Sequence, residues 1–336
     1  MDLLSNAVCV TRKSEIAYYL NIVNDLWETP HTVKFPAPNP IPLDKTNLAE
    51  LLRDDYLVSL KTDGVRFILL LTLQQGTTTP ISLLISRTSV VYKICVWANA
   101  DFFLKSTLLD GELVKGNDDA LHYMIFDAIV AKGKDLKKQC YRERTRIISS
   151  LVLEADTRTM EDGCLENLVA CQDCIVARDE SCVVLKAKKV LPRQQIGRVY
   201  RELNGTGHAN DGLIFTRNDC GVENGTSKYT FKWKMSHSVD LRVDAHDNLW
   251  AHNDKRAGES KLDVDIFSLQ PSALSYQAGC IVEFDITFLG SKVLLTPQRV
   301  RHDKLVPNSL KTIDGTVKCA RDNITPGELI ELLGDV

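Results

Sequence analysis

The stretch Tyr56-Leu57-Val58-Ser59-Leu60-Lys61-Thr62-Asp63-Gly64-Val65-Arg66-Phe67-Ile68-Leu69-Leu70-Leu71 decides how this chain is read. One apolar run precedes Lys61 and another follows Arg66, both with the length and composition of strands. Asp-Gly between two strands predicts a tight turn. Lys61 is then held at the end of one strand, and Arg66 returns on the next. A lysine amine in an apolar setting beside a cation is a nucleophile. A plain hairpin with a solvent-exposed lysine accounts for the same residues.

Working outward, Ser14 to Trp27 places Ile16, Tyr19, Leu20, Val23, Leu26 and Trp27 at helical spacing behind a capping serine. The prolines of Lys34-Phe-Pro-Ala-Pro-Asn-Pro-Ile-Pro-Leu43 predict an extended connector pinned on a surface. From Tyr56 to about Val130 the pattern is strands broken by Gly, Thr, Asn and Asp, a mostly antiparallel sheet. Short helices are predicted at Asn47 to Arg53, Tyr141 to Leu153 and Ile196 to Leu203. Met235 to Ser238 is a polar break and a candidate hinge. Beyond it, short strands suit a small five-stranded barrel, followed by a helix from Pro326 to Leu333 capped by Thr325. The expected division is 1–237 and 238–336.

The 336 residues are 44% hydrophobic and 25% charged, with net charge −3, ordinary for a globular protein and unlike a basic nucleic-acid coat. The N-terminus shows no basic-then-apolar leader, and no apolar run approaches transmembrane length. A reducing compartment with free thiols is the expectation for the 10 cysteines. Cys164, Cys171, Cys174 and Cys182 form a candidate zinc set, but their spacing is not that of a standard finger. Two basic clusters, Lys132 to Arg142 and Lys186 to Arg193, are read as solvated surface before RNA track.

Further stretches share the character of the first. Asp110-Gly111-Glu112 and Asp211-Gly212-Leu213 are read as Asp-Gly turns beside strands, and Tyr123 to Asp127 sets Phe126 beside an acid. Phe231-Lys232-Trp233-Lys234 alternates, so both lysines share a face. Singly these are turns, core and solvated faces. Together they supply nucleotidyl transfer: an amine at Lys61, carboxylates at Glu112 and Asp211 for a hard divalent ion, and cations at Lys232 and Lys234 for the α-phosphate. Phe126 is the ring to lie against a purine.

In that order the motifs resemble the covalent nucleotidyltransferases, specifically the compact viral type of mRNA capping guanylyltransferase. Lys61 to Arg66 matches the nucleophile motif, with Thr62 the capping-type variant. Ser86-Arg87 matches the next, and Arg299-Val-Arg301-His-Asp303-Lys304 matches a barrel-domain motif absent from RNA ligases. The segment Lys292-Val-Leu-Leu lacks an aromatic that relatives often carry. The resemblance implies an α+β fold: an ATP-grasp-like nucleotidyltransferase domain of mostly antiparallel sheets, then a C-terminal OB-fold barrel. It implies that Lys61 takes GMP from GTP and passes it to the 5′-diphosphate end of RNA. Arg66, Lys232 and Lys234 assist, and Thr62, Asp63, Arg87, Phe126, Asp211, Arg299, Arg301, Asp303 and Lys304 bind nucleotide. Glu112 and Asp211 hold Mg²⁺ or Mn²⁺. The chain length leaves no room for a triphosphatase or a cap methyltransferase, which would be separate partners in a nucleus or at a viral replication site. An ATP-dependent DNA or RNA ligase with a lysine–AMP intermediate, or an inactive RNA-binding relative, are the alternatives.

Overall fold

The computed structural model describes every residue except 1, 2, 5, 6, 34, 156–167, 170–182, 204, 254, 256, 257, 303, 335 and 336. The chain is α+β with mostly antiparallel sheets and divides into two compact units. One comprises Met1–Ile41 and Asp54–Phe231, the other Pro42–Arg53 and Lys232–Gly334.

The order begins β1 (Val8–Cys9), α1 (Lys13–Trp27), β2 (Pro38–Pro42), α2 (Leu48–Arg53), β3 (Tyr56–Thr62), β4 (Val65–Leu73), β5 (Pro80–Ser86), β6 (Val91–Ile94) and β7 (Ala98–Asn99). It continues α3 (Asp101–Leu104), β8 (Thr107–Lys115), β9 (Leu121–Ala131), β10 (Lys134–Asp135), α4 (Tyr141–Ala155), β11 (Leu168–Val169) and β12 (Val184–Ala187). Then come β13 (Leu191–Pro192), α5 (Ile196–Arg201), β14 (Asn210–Arg217) and β15 (Gly225–Lys234). An eight-stranded sheet has the order β1-β6-β5-β4-β8-β9-β10, with β12 joined to β9, and a five-stranded sheet has the order β13-β3-β14-β15-β2.

The apolar run after Arg66 is explained by β4. Phe67, Leu69 and Leu71 pack in one core with Phe102, Phe103 and Ile148, while Ile68 and Leu70 pack in another with Tyr19, Val23 and Trp27 of α1. A strand buried on both faces has no polar side to show in its sequence. The proline-rich β2 lies at a sheet edge, where a missing N–H leaves no ladder bond broken. Ser14 lies inside α1 rather than capping it, because the helix begins one residue earlier, behind Arg12.

The three Asp-Gly pairs read above as turns do not make them. β3 and β4 belong to different sheets, so Asp63-Gly64 carries the chain from one sheet to the other. Asp110-Gly111 lies within β8 and Asp211-Gly212 within β14. Space, not backbone conformation, explains two of these glycines. A Cβ on Gly64 would fall 2.6 Å from Val114 Cγ1, and one on Gly111 would fall 2.6 Å from the Tyr123 ring. Neither residue has positive φ.

The second unit contains α2, β16 (Ser238–Val243), β17 (Leu249–His252), β18 (Glu259–Lys261), β19 (Phe267–Leu269), β20 (Ile281–Leu289), β21 (Lys292–Val300), α6 (Leu310–Asp322) and α7 (Pro326–Leu333). Its sheet has six strands, in the order β18-β17-β16-β20-β21-β19, not the five expected. β18 and β19 are three residues each, too short to show a pattern. The sequence reading also misses α6, whose interior carries Thr312, Gly315 and Thr316; Ser309 caps it, and Ile313 and Ala320 pack into the core. Thr325 caps α7 in a reciprocal pair with Glu328, as expected.

Cys9, Cys140, Cys220, Cys280 and Cys319 are free, whereas Cys95 is disulfide-bonded, against the expectation of free thiols. Cys164, Cys171, Cys174 and Cys182 lie outside the described residues. Among the described residues no helix is long and apolar enough to cross a membrane, and no group of three or more His, Cys, Asp or Glu gathers to hold a metal.

Candidate active site

Lys61 is the penultimate residue of β3, just before the chain crosses between sheets. Its Nζ lies 2.6 Å from Asp211 Oδ1. Asp211 is there because β14 bulges: Asn210 pairs with Thr62 and Gly212 with Lys61, which leaves Asp211 as the extra residue. A bulge re-aims a side chain that a regular ladder would commit to one face. The expected apolar setting is thus replaced by an ion pair between side chains that are 21% and 31% exposed.

Arg66 is tied to a carboxylate of its own. Its guanidinium binds Asp110 in two places, Nε to Oδ1 at 2.9 Å and Nη2 to Oδ2 at 2.5 Å. Asp110 is fully buried, and burial pushes its carboxyl up while Arg66 pulls it down. The same guanidinium lies 5.2 Å from the Phe126 ring centre and 5.7 Å from that of Phe35, in the proline-rich segment. Phe126 is itself a bulge residue, since Asp110 pairs with Asp127 and Gly111 with Ile125. Its ring keeps partial exposure between buried neighbours Ile125 and Asp127.

Glu112 pairs across β4 with Arg66. Burial raises its carboxyl; Lys188, Lys61 and Arg66 oppose the rise and Asp211 adds to it. Arg87 is exposed, and its guanidinium is lowered by partial burial and then by the like charge of Arg66. Thr62 is fully buried with its hydroxyl unpartnered, and Asp63 is exposed, its amide donating to Ala209.

Lys188 is a member of the site that the sequence reading leaves in a surface cluster. β12 runs parallel to β9, and the Lys188 amide donates to Ile125 O at 2.8 Å. That seats the ammonium 5.5 Å from the Phe126 ring centre. Burial brings Lys188 down to about 8, with Lys61 and Arg66 adding to the effect and Glu112 and Asp211 resisting it. Lys188 also lies where the chain crosses from β12 in one sheet to β13 in the other. The site therefore draws on two crossings between these sheets, after β3 and after β12, and a local pattern cannot reveal that. In the other basic cluster, Lys132 lies over the Phe102 ring and Lys137 pairs with Asp135.

Phe231 and Trp233 are buried and Lys232 and Lys234 half-buried, so the lysines do share a face of β15. The division into units falls after Phe231. In the second unit, Arg299 pairs with Glu283 at 2.6 Å, Arg301 with Asp240 at 2.9 Å, and Lys304 with Asp240. Asp303 lies outside the described residues.

The sequence profile of the mRNA capping enzyme catalytic domain matches residues 5–236. An mRNA-capping enzyme of Caenorhabditis elegans is 23% identical over 329 residues, covering 88% of this chain and 48% of that one. An mRNA-capping enzyme subunit alpha of Yarrowia lipolytica is 26% identical over 220 residues, covering 62% and 54%. This chain spans about half the length of these relatives. Among solved structures, a mycobacterial DNA ligase D complexed with ATP and MES superposes with TM-score 0.42 at 12% identity, over 80% of this chain and 96% of that one. A likeness of that size decides neither substrate nor reaction. The profile, by contrast, spans Lys61, Arg66, Arg87, Glu112, Phe126, Lys188, Asp211, Lys232 and Lys234 together, and the chain belongs to the mRNA capping enzyme family through its catalytic domain.

Proposed function

We propose that this chain is an mRNA guanylyltransferase working through a covalent lysine–GMP. The observation that carries the reading is the Lys61–Asp211 contact at 2.6 Å, set among Glu112, Lys188, Arg66 and Phe126. Lys61 gives its proton to solvent, and the Asp211 carboxylate 2.6 Å away orients the amine. The free amine attacks the α-phosphorus of GTP, a P–N bond forms, the bond to the β-phosphate oxygen breaks, and pyrophosphate leaves. A terminal phosphate oxygen of 5′-diphosphate RNA then attacks the same phosphorus, which releases Lys61 and gives GpppRNA. The protein's work is orientation and charge balance.

Phe126, partly exposed, is the ring on which the base stacks, and Lys188 and Arg66 are the cations beside it. Glu112 and Asp211 lie close enough to repel each other, a donor pair that suits a hard divalent ion. They would hold Mg²⁺ or Mn²⁺, which supplies charge neutralisation at the α-phosphate. Lys232 and Lys234 serve the same charge. The part of the second unit from β16 onward is read as an OB-fold barrel that follows the break at Met235 to Ser238, with Arg299, Arg301, Asp303 and Lys304 as the motif for the β- and γ-phosphates. RNA triphosphatase and cap methyltransferase activities complete the cap from other domains or chains.

Incubation with radiolabelled GTP and a divalent metal, followed by denaturing electrophoresis, tests this. The label stays with the wild-type chain and with Arg12→Ala, and is absent from Lys61→Ala. An adduct that persists in Lys61→Ala, or forms from ATP and not GTP, overturns the reading.

A further inference from the structure

The sheet of the second unit carries a charge arrangement that needs explaining. Asp240 on β16 stands opposite Glu283 on β20, and Glu283 stands opposite Arg299 on β21. Like charges directly opposite on neighbouring strands destabilise a sheet. The compensating cations come from the segment after β21. Arg301 Nη1 donates to Asp240 Oδ1 at 2.9 Å and lies 3.6 Å from Glu283 Oε2, and Lys304 Nζ donates to Asp240 Oδ2. Each oxygen of one carboxylate therefore holds one cation of the motif.

Asp240 is built to stay put. Its side chain is 8% exposed. Its amide donates to Asn308 Oδ1 at 2.8 Å, and its carbonyl accepts from the Asn308 amide at 2.7 Å. Glu283 is fixed as well: burial would raise its carboxyl, but bonds from Ser238 and Arg299 outweigh that and hold it below the usual range. Arginine and lysine side chains are long and lose much rotamer freedom when ordered. A rigid carboxylate shared by both meets that cost in the folded protein, before any ligand arrives. Arginine has five N–H donors and lysine three, more than a single carboxylate oxygen can occupy.

We propose that Asp240 is a positioning residue for the first half-reaction: its carboxylate sets Arg301 and Lys304 as a pair to receive the β- and γ-phosphates of GTP. This rests on the reading of the motif given above. Asp240 touches neither substrate nor reacting atoms, and the second half-reaction, which has no pyrophosphate, does not call on it.

Asp240→Asn keeps the shape and removes the charge. Adduct formation at subsaturating GTP falls roughly tenfold. Transfer of GMP to RNA from adduct isolated beforehand is unchanged. Placed on Arg301→Ala/Lys304→Ala, Asp240→Asn costs adduct formation nothing further. It also raises the Tm of that double variant, because it removes a buried carboxylate left without cations. Normal adduct formation in Asp240→Asn, while Arg301→Ala or Lys304→Ala impairs it, overturns the proposal and leaves the motif reading intact. Equal loss in both half-reactions with a lowered Tm marks a merely structural residue and also overturns it. If Arg301→Ala and Lys304→Ala leave adduct formation whole, the motif reading fails, and this proposal with it.

Discussion

Asp211 reaches the Lys61 amine, 2.6 Å away, because it is the one residue of β14 without a partner on β3. The bulge frees its side chain from the alternation of the strand and turns it toward the neighbouring strand end. Lys61 is thus held by a carboxylate from a neighbouring strand.

Asp211→Asn therefore lowers adduct formation by roughly a hundredfold, the scale of losing one charged group at a transferring phosphoryl. The pair is partly exposed, so unfolding free energy changes by less than about 1 kcal/mol. Quench-flow labelling and denaturant titration measure the two effects separately. A large loss of stability with activity retained would assign the contact to folding instead.

Asp110 and Arg66 predict the opposite balance. Their side chains are 0% and 8% exposed and bonded twice. Asp110→Ala leaves a buried guanidinium without its carboxylate and costs about 3–5 kcal/mol. Urea denaturation followed by tryptophan fluorescence checks this. A loss within about 1 kcal/mol, the worth of a surface pair, would contradict the buried geometry.

Phe126→Ala weakens GTP binding by about 1–3 kcal/mol, the cost of losing one base–ring stack. Phe126→Tyr retains most of it. Because the ring is partly exposed already, the alanine variant folds normally. Calorimetric titration with GTP on Lys61→Ala, which cannot turn over, isolates binding from chemistry.

Lys188 gives the pH dependence. With its ammonium at about 8, it is charged at neutral pH and neutral in alkali. The charged form attracts the triphosphate, so GTP affinity falls as pH rises through that value. Lys188→Arg stays charged and removes this limb of the profile, while Lys188→Met weakens binding at neutral pH already. A wild-type profile flat through pH 8 would show that Lys188 does not meet the nucleotide.

Gly111→Ala tests why the glycine is there. A methyl group would meet the Tyr123 ring at 2.6 Å and Met124 O at 2.8 Å. The expected destabilisation is about 1–3 kcal/mol, typical of overpacking. Tyr123→Phe removes its hydroxyl bonds to Phe67 O and Leu109 O but leaves the ring in place. It should therefore leave the Gly111→Ala loss largely unrelieved, as thermal melts of the four proteins would show.

Much of the centre is legible in the residues themselves. Lys61, Glu112, Phe126 and Asp211 are recognisable because the chemistry of phosphoryl transfer needs an amine, carboxylates and a ring, and each type recurs beside an apolar strand. The helix at α7 is legible because Thr325 and Glu328 form a capping box within four residues. Lys188 is not legible, because its neighbours in sequence are other lysines and what brings it in is pairing with a strand some sixty residues earlier. Asp240 is not legible either, since its partners Arg301 and Lys304 are also some sixty residues away.

The order of residue types along the chain was enough to set the expected chemistry and the strand-rich α+β class, because side-chain reactivity and apolar runs are local properties. Tertiary structure alone decided that the Asp-Gly pairs are crossings and bulges rather than turns, because a glycine chosen for lack of room looks the same in sequence as one chosen for its backbone freedom. It alone also decided which carboxylate each cation faces, since that depends on sheet register, and register is set by the packing of both faces together.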